Sequence, residues 1–325
     1  VNKKCIKILK LEALLRRLPI NHEAKSKIQE ELAIGKAGEK GEHSLTYHLK
    51  FIQGKNYQIV KDIRLRYMDD VFFQMDTLVL SSRLILNLDA KNISGTLFFD
   101  RDFEQLIRTT KEGKVDAFLD PILQVKRQEL QLQSWLKKHK FPPVPIVPLV
   151  LITNPSSIIK ADPKHIKEVK KVVIHSANFP FLLESLEKNY QKDILTTSQV
   201  NKLSKLLIKH NIPLLPNYLE KFKIKKSDLL PGVHCTRCNT LPLNRIKGKW
   251  YCPVCDHHLV NAHIDSLVDY YFLWGDTITN REFRDFLDIS SKDIAGRLLT
   301  SLDLDFTGTF KDRVYSLGSL ISRLD

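Results

Sequence analysis

Cysteine is sparse in this chain, with five in 325 residues. So few thiols do not make a disulfide framework, which belongs to short, exported, cysteine-dense scaffolds. No apolar run reaches the roughly 18 residues needed to span a bilayer; the longest candidate, Phe141 to Ile152, is interrupted by four prolines. The sequence has no internal repeat and no low-complexity tract. Its first residues, Val1 to Lys7, are too charged for a secretory signal, so the expected location is cytoplasmic. Acid is the scarcer charge, 37 Asp and Glu against 51 Lys and Arg, giving a formal +14.

An excess of this sign and size points to a polyanionic partner, and nucleic acid is the commonest. The excess is uneven. Lys160 to Lys226 holds 14 lysines against 6 acids, whereas Asn261 to Asp325 holds 7 basic and 11 acidic residues. The basic surface therefore belongs to the earlier part of the chain, and the acidic end reads as a docking or dimerisation module, for a protein partner or a second copy.

Two adjacent apolar runs, Phe72 to Leu80 and Leu84 to Lys91, read as neighbouring strands that carry polar groups at set positions. Strand side chains alternate between faces, so Asn87, Asp89 and Lys91 share one face. A two-residue turn at Ser81-Ser82 would set Asp76 opposite Asn87; a four-residue loop would set it opposite Asp89. Either even-numbered loop brings Asp76, Asp89 and Lys91 to one face, and an odd-numbered loop separates them. Two carboxylates and a lysine on one face suit metal-dependent phosphodiester chemistry. Hard cations such as Mg²⁺ or Mn²⁺ take oxygen ligands and need only one or two carboxylates beside a phosphate. A lysine can stabilise the charge that develops on the phosphoryl group.

These residues stand in a longer order: Gly41-Glu42 on a helix upstream, then Asp76, then Asp89-Ala90-Lys91, then Gln124 within Asp120 to Gln128. The order resembles the nuclease-related domain, NERD, a branch of the PD-(D/E)xK nuclease superfamily, over roughly residues 30 to 155. The resemblance implies a restriction-endonuclease-like mixed α/β sheet flanked by helices. It assigns Glu42, Asp76, Asp89, Lys91 and Gln124 as catalytic residues, with Asp76 and Asp89 as ligands of Mg or Mn, and DNA as the partner. Glu39, one turn before Glu42, competes for the helix position. Two departures are visible: Asp89 stands where the family usually has Glu, and no proline precedes Asp76. The expected activity is hydrolysis of DNA phosphodiester bonds; the alternative is an inactive nucleic-acid-binding or regulatory protein that keeps the fold.

Cys235-x₂-Cys238 and Cys252-x₂-Cys255, thirteen residues apart, have the spacing of a tetrahedral zinc site. Four thiolates leave no open position, so the zinc is expected to be structural. The segment between them reads as a hairpin with Lys247-Gly248 near its tip, and the module resembles a zinc ribbon. Cys5 is left over. The expected organisation is an N-terminal helical segment (1–30), a nuclease-like domain (31–190), a basic helical linker (191–230), the zinc module (231–260) and a C-terminal helical module (261–325) similar to a winged helix.

Overall fold

A computed structural model describes residues 6–50, 57–214, 216–309 and 312–322. The leftover Cys5 lies outside these residues. The chain divides into two compact units, residues 37–214 and residues 1–36 with 215–325.

The chain begins with helices α1 (Ile6–Arg17) and α2 (Lys25–Leu49). The expected boundary between the N-terminal helical segment and the nuclease-like domain, at 30/31, falls inside α2, which runs unbroken through both. Gly35, Gly38 and Gly41 lower its helix propensity without breaking it, because the surrounding Lys, Glu, Gln and Ala are strong helix formers. Three strands follow, β1 (Gln58–Arg66), β2 (Phe72–Leu80) and β3 (Ile85–Lys91). Next come β4 (Thr96–Asp100), β5 (Gln105–Thr109), β6 (Val115–Leu119) and helix α3 (Pro121–Lys138). The unit is completed by β7 (Ile146–Ile152), β8 (Ile158–Ala161), α4 (Ile166–Val172), β9 (Val173–His175), α5 (Phe179–Asn189) and α6 (Thr197–Lys209).

A five-stranded sheet in the order β1-β2-β3-β7-β9 is the centre of the 37–214 unit. β1, β2 and β3 are antiparallel neighbours, while β3, β7 and β9 run parallel, so the sheet is mixed. One face packs Leu132, Trp135 and Leu136 of α3 and Val200, Leu203 and Leu207 of α6 over Leu78, Leu80 and Ile85. The other packs Leu45 and Leu49 of α2 and Phe179 and Leu183 of α5 over Leu86, Leu88, Leu149 and Leu151. A second sheet, β6-β5-β4-β8, joins through Leu97, Phe99 and Leu106 to Val150 and Ile152. The stretch expected as a linker from residue 191 thus contributes α6 to the core, because its apolar stripe at Val200, Leu203 and Leu207 is buried there.

The other unit continues with α7 (Tyr218–Lys221), β10 (Asn244–Ile246), β11 (Lys249–Cys252), β12 (His257–Leu259) and α8 (Ala262–Leu273). It ends with β13 (Thr277–Thr279), α9 (Asn280–Leu287), α10 (Lys292–Ser301), β14 (Phe306–Thr307), β15 (Val314–Ser316) and α11 (Gly318–Ser322). Lys247 and Gly248 turn β10 into β11 with φ of 46° and 82°, as a tight two-residue hairpin requires. α1 belongs to this unit. Its Arg17 is fully buried, with Nε 3.0 Å from Asp269 Oδ2 on α8, and its guanidinium also donates to the carbonyls of Leu230, Gly232 and Ser266. Arg16 reaches the other oxygen of Asp269 at 2.8 Å.

Candidate active site and metal centres

The β2–β3 connection is the four-residue loop Ser81 to Leu84. Leu80 pairs with Ile85 and Leu78 with Asn87, and the Ser81 hydroxyl accepts from the backbone N–H groups of Arg83 and Leu84. Continuing that register sets Asp76 opposite Asp89. The ladder itself stops one step earlier, at Thr77–Leu88. Beyond it the Asp76 carboxylate accepts from the Ala90 N–H. Strict alternation also fails here. Val60, Ile63, Leu78 and Met75 share one apolar cluster although 60 and 63, like 75 and 78, should face opposite ways. Asp62, the residue across from Asp76, has φ of 51° and lies at this change of face.

Asp89 is 2% exposed. Lys91 Nζ lies 3.0 Å from its Oδ1 and 2.9 Å from its Oδ2. Gln124, one turn into α3, donates from Nε2 to Asp89 Oδ1 at 3.1 Å and accepts from Lys91 Nζ at 3.4 Å. Helix α3 is held at the correct height by its N-cap: Asp120 Oδ1 accepts from the Ile122 N–H at 2.9 Å, and Oδ2 pairs with the buried Arg101. Burial, and then the neighbouring Asp89 charge, push the half-buried Asp76 carboxyl up to about 7. The expected residues Asp76, Asp89, Lys91 and Gln124 therefore form one electrostatic group.

Glu42 lies at the margin of that group: its charge also helps to raise Asp76, after burial and Asp89, but it makes no hydrogen bond to Asp89, Lys91 or Gln124 among the described residues. It is exposed, and its carboxyl is raised by partial desolvation and by Asp62, against Lys61. The backbone beside it is nonetheless close to the site strand. A Cβ on Gly41 would come 3.0 Å from the Asn92 Cβ, and Asn92 Nδ2 donates to the Ala37 carbonyl on α2 at 3.0 Å.

Two further residues beside the site have no role in the sequence-based assignment, although alternation already sets Asn87 on the face of Asp89 and Lys91. Asn87 is fully buried and donates to Gln128 Oε1 at 2.9 Å, while Gln128 Nε2 donates to the Gln74 carbonyl at 2.6 Å. The available signal is the Gln124-x₃-Gln128 spacing, which puts both amides on one face of α3. Asn87 Oδ1 is a buried acceptor with no hydrogen-bond partner among the described residues, and the buried Asp89 Oδ2 has the Lys91 ammonium beside it at 2.9 Å. The donors are all oxygen, and the Asp76 carboxylate is crowded by the Asp89 charge, a set that fits a hard divalent cation at Asp76 and Asp89. A polar cleft of about 660 Å³ lined by Tyr57, Ser82, Arg83 and Asp193 lies instead at the loop end of the hairpin. Its charges are already paired, Arg83 Nε to Asp193 Oδ1 at 3.0 Å.

The second centre is formed by Cys235, Cys238, Cys252 and Cys255, all free thiols with sulfurs within 4.8 Å of one another. The Cys235–Cys255 and Cys238–Cys252 separations are 3.6 and 3.4 Å. Tetrahedral zinc at about 2.3 Å per thiolate sets its sulfurs about 3.8 Å apart, so the cluster could hold zinc. It is compatible with a zinc ribbon.

Residues 37–153 match the family model of the nuclease-related domain, NERD. The match encloses Glu42, Asp76, Asp89, Lys91 and Gln124 and ends at Thr153, at the close of β7. It covers Gly41 and Asn92, the pair through which α2 approaches the site strand. The four cysteines lie outside the NERD segment, in the other unit. No curated protein and no solved structure matches the chain.

Proposed function

We propose that the chain is a metal-dependent nuclease that hydrolyses phosphodiester bonds in DNA. The observation that carries this reading is the Asp76–Asp89–Lys91–Gln124 group within the NERD segment. Asp76 and Asp89 would hold Mg²⁺ or Mn²⁺. When bound, the cation polarises a phosphoryl oxygen and lowers the pKa of a nearby water. Lys91 is only partly covered, so its ammonium can leave one Asp89 oxygen and donate to a phosphate oxygen as negative charge develops there. Gln124 holds Asp89 Oδ1 and keeps the carboxylate plane fixed during that exchange. The four-cysteine module would bind zinc as a structural ion, since its ligand set has no open position.

Nicking of plasmid DNA or degradation of single strands with Mg²⁺ or Mn²⁺ tests the reading. Asp89→Ala, Asp76→Ala and Lys91→Ala are each expected to lower the rate at least about 100-fold. Equal activity in all four proteins would remove the site assignment. A second reading, nucleic-acid binding without turnover, is favoured by one feature: Glu42 is exposed and, although its charge reaches Asp76, its nearer charges are Asp62 and Lys61. Binding with no cleavage under any metal would select it.

A further inference from the structure

Helix α6 carries no acidic residue, and its exposed side presents Lys202, Lys205 and Lys209 with Ser198 and Asn201. These residues line a shallow groove of about 660 Å³ together with Leu206. None of the three lysines has an acidic partner among the described residues. On a helix of 3.6 residues per turn, positions 202, 205 and 209 fall within a narrow arc, separated by roughly 4.5 and 6 Å along the axis. The opposite side of α6 is fixed in the core by Val200, Leu203 and Leu207, so the charges cannot rotate away.

The direction of this stripe is set by its contacts with β1. Near its start, Gln58 Nε2 donates to Asn201 Oδ1 at 3.2 Å. Just past its end, Asn211 accepts from the Arg64 N–H at 2.9 Å and donates to the Asp62 carbonyl at 3.2 Å. Asp62 is the β1 residue across from Asp76, between the pairs Lys61–Thr77 and Ile63–Met75. The lysine line therefore runs along the sheet edge and ends beside the strand position that faces the acid site. Arg64 and Arg66 extend the positive charge at that end, their guanidiniums 3.9 and 5.5 Å from the Phe72 ring centre.

We infer that the α6 face is the track that holds the sugar–phosphate backbone of a nucleic-acid strand and leads it to the acid site. The track rests on the hydrolytic reading only for its destination; its binding role stands without it. A line of point charges on one helix face contacts backbone and carries no base recognition, so the interaction is independent of sequence and depends on salt.

The test uses the full-length chain with the Asp89→Ala change in every protein, so that no substrate is cut, and fluorescence anisotropy of a labelled DNA oligonucleotide over a salt series. Lys202→Gln, Lys205→Gln and Lys209→Gln combined should weaken binding at least tenfold. The slope of log affinity against log salt should fall by about two to three, one step per lost phosphate contact. Lys205→Gln alone should weaken binding about threefold. The same charge removed from α4, by Lys167→Gln, Lys170→Gln and Lys171→Gln, should cost less than about threefold, since α4 packs beside β7 and β9 at the other edge of the sheet. Unchanged binding in the α6 variant, or an equal loss in both triple variants, would overturn the track. The outcomes also separate the two readings. If the wild type cleaves nothing but the α6 variant loses binding, hydrolysis falls and the track stands. If the α6 variant with Asp89 restored cleaves DNA with an unchanged KM, the track falls and hydrolysis stands.

Discussion

In the four-cysteine centre, two tight turns each deliver two sulfurs, and all four atoms lie within one metal's reach. In the acid centre the side chains come from two strands and a helix. Glu42, Asp76 and Asp89 do not all converge within the same 4.8 Å, and a lysine ammonium occupies the Asp89 carboxylate. The contrast separates two ways of organising a metal. Thiols at C-x₂-C spacing converge through local turn geometry, and the metal then supplies folding energy. The carboxylates are set by the surrounding sheet, and an internal cation offsets the cost of burying one of them.

The sharpest break of that comparison is to remove each proposed metal in turn. Cys252→Ser is expected to abolish bound zinc and to unfold the zinc module, because structural zinc contributes about 10–16 kcal/mol in small modules. Metal content and thermal melting check it. Withholding Mg²⁺ and Mn²⁺ should leave the fold of the 37–214 unit intact and stop only the chemistry. A zinc-free Cys252→Ser protein that melts like the wild type would remove the distinction.

Next in size is the Arg17–Asp269 pair, which ties α1 to α8 in the unit that carries the four cysteines. Both side chains are essentially inaccessible. Asp269→Ala would leave Arg17 buried and uncompensated, at a cost of about 3–5 kcal/mol. Chemical denaturation measures this. Asp89→Ala offers the counterpart in the other unit. Lys91 is partly exposed and can turn to solvent when its partner goes, so the loss there should be clearly smaller. Equal losses would show that the acid centre is also a structural ion pair.

How far each centre is legible in the sequence follows from the same contrast. The cysteine spacing and the Lys247-Gly248 turn are local, and both appear in the structure where the residues place them. Helix α3 is nearly as direct, because Asp120-Pro121 is an N-cap followed by a proline at the first helical position, a strong start signal. The β2–β3 register is different: loops of two and four residues both satisfy the alternation pattern, and the Ser81 hydroxyl bonds that stabilise the four-residue form are visible only in three dimensions. The left-handed backbone at Asp62 breaks alternation beside the acid site without changing the register. The strands of the second sheet are short, and β6 is mostly exposed, so they lack the apolar run that marks β2 and β3. Gln128 was missed because an amide in mid-helix carries no signal until the strand beneath it supplies Asn87.

A pH experiment sharpens the carboxylate side of the comparison. The Asp76 carboxyl is raised from 3.8 to about 7 by burial and by Asp89. In the unfolded chain it ionises at its ordinary value, so between about pH 4 and 7 the folded state binds more protons than the unfolded one. Stability of the metal-free protein should therefore fall as pH rises through that window, by about 2 kcal/mol once its partial solvent contact is allowed for. Asp76→Asn should flatten the profile, and Mg²⁺, which favours the charged form, should oppose the fall. Urea midpoints at pH 5 and 8 decide it; a wild-type profile as flat as that of Asp76→Asn would mean that the two acids do not share one field.

The smallest expected effect concerns the amide ladder behind the site. Gln128→Ala removes the acceptor for Asn87 Nδ2 and the donor to the Gln74 carbonyl, leaving buried polar groups unsatisfied at about 1–3 kcal/mol. Asn87 Oδ1 already lacks a partner, so Asn87 has little else to hold it. Because Gln124 and Gln128 sit one turn apart on α3, a loosened Gln128 should let α3 shift against β3 and misplace the amide on Asp89. The expected signature is a modest loss of stability with a larger loss of cleavage rate, and recovery of both in Gln128→Glu only below the pH at which the new carboxyl ionises, where it can again donate. If stability falls but the cleavage rate is unchanged, the ladder supports the fold alone, and Gln124 is positioned by the Asp120 cap and Arg101.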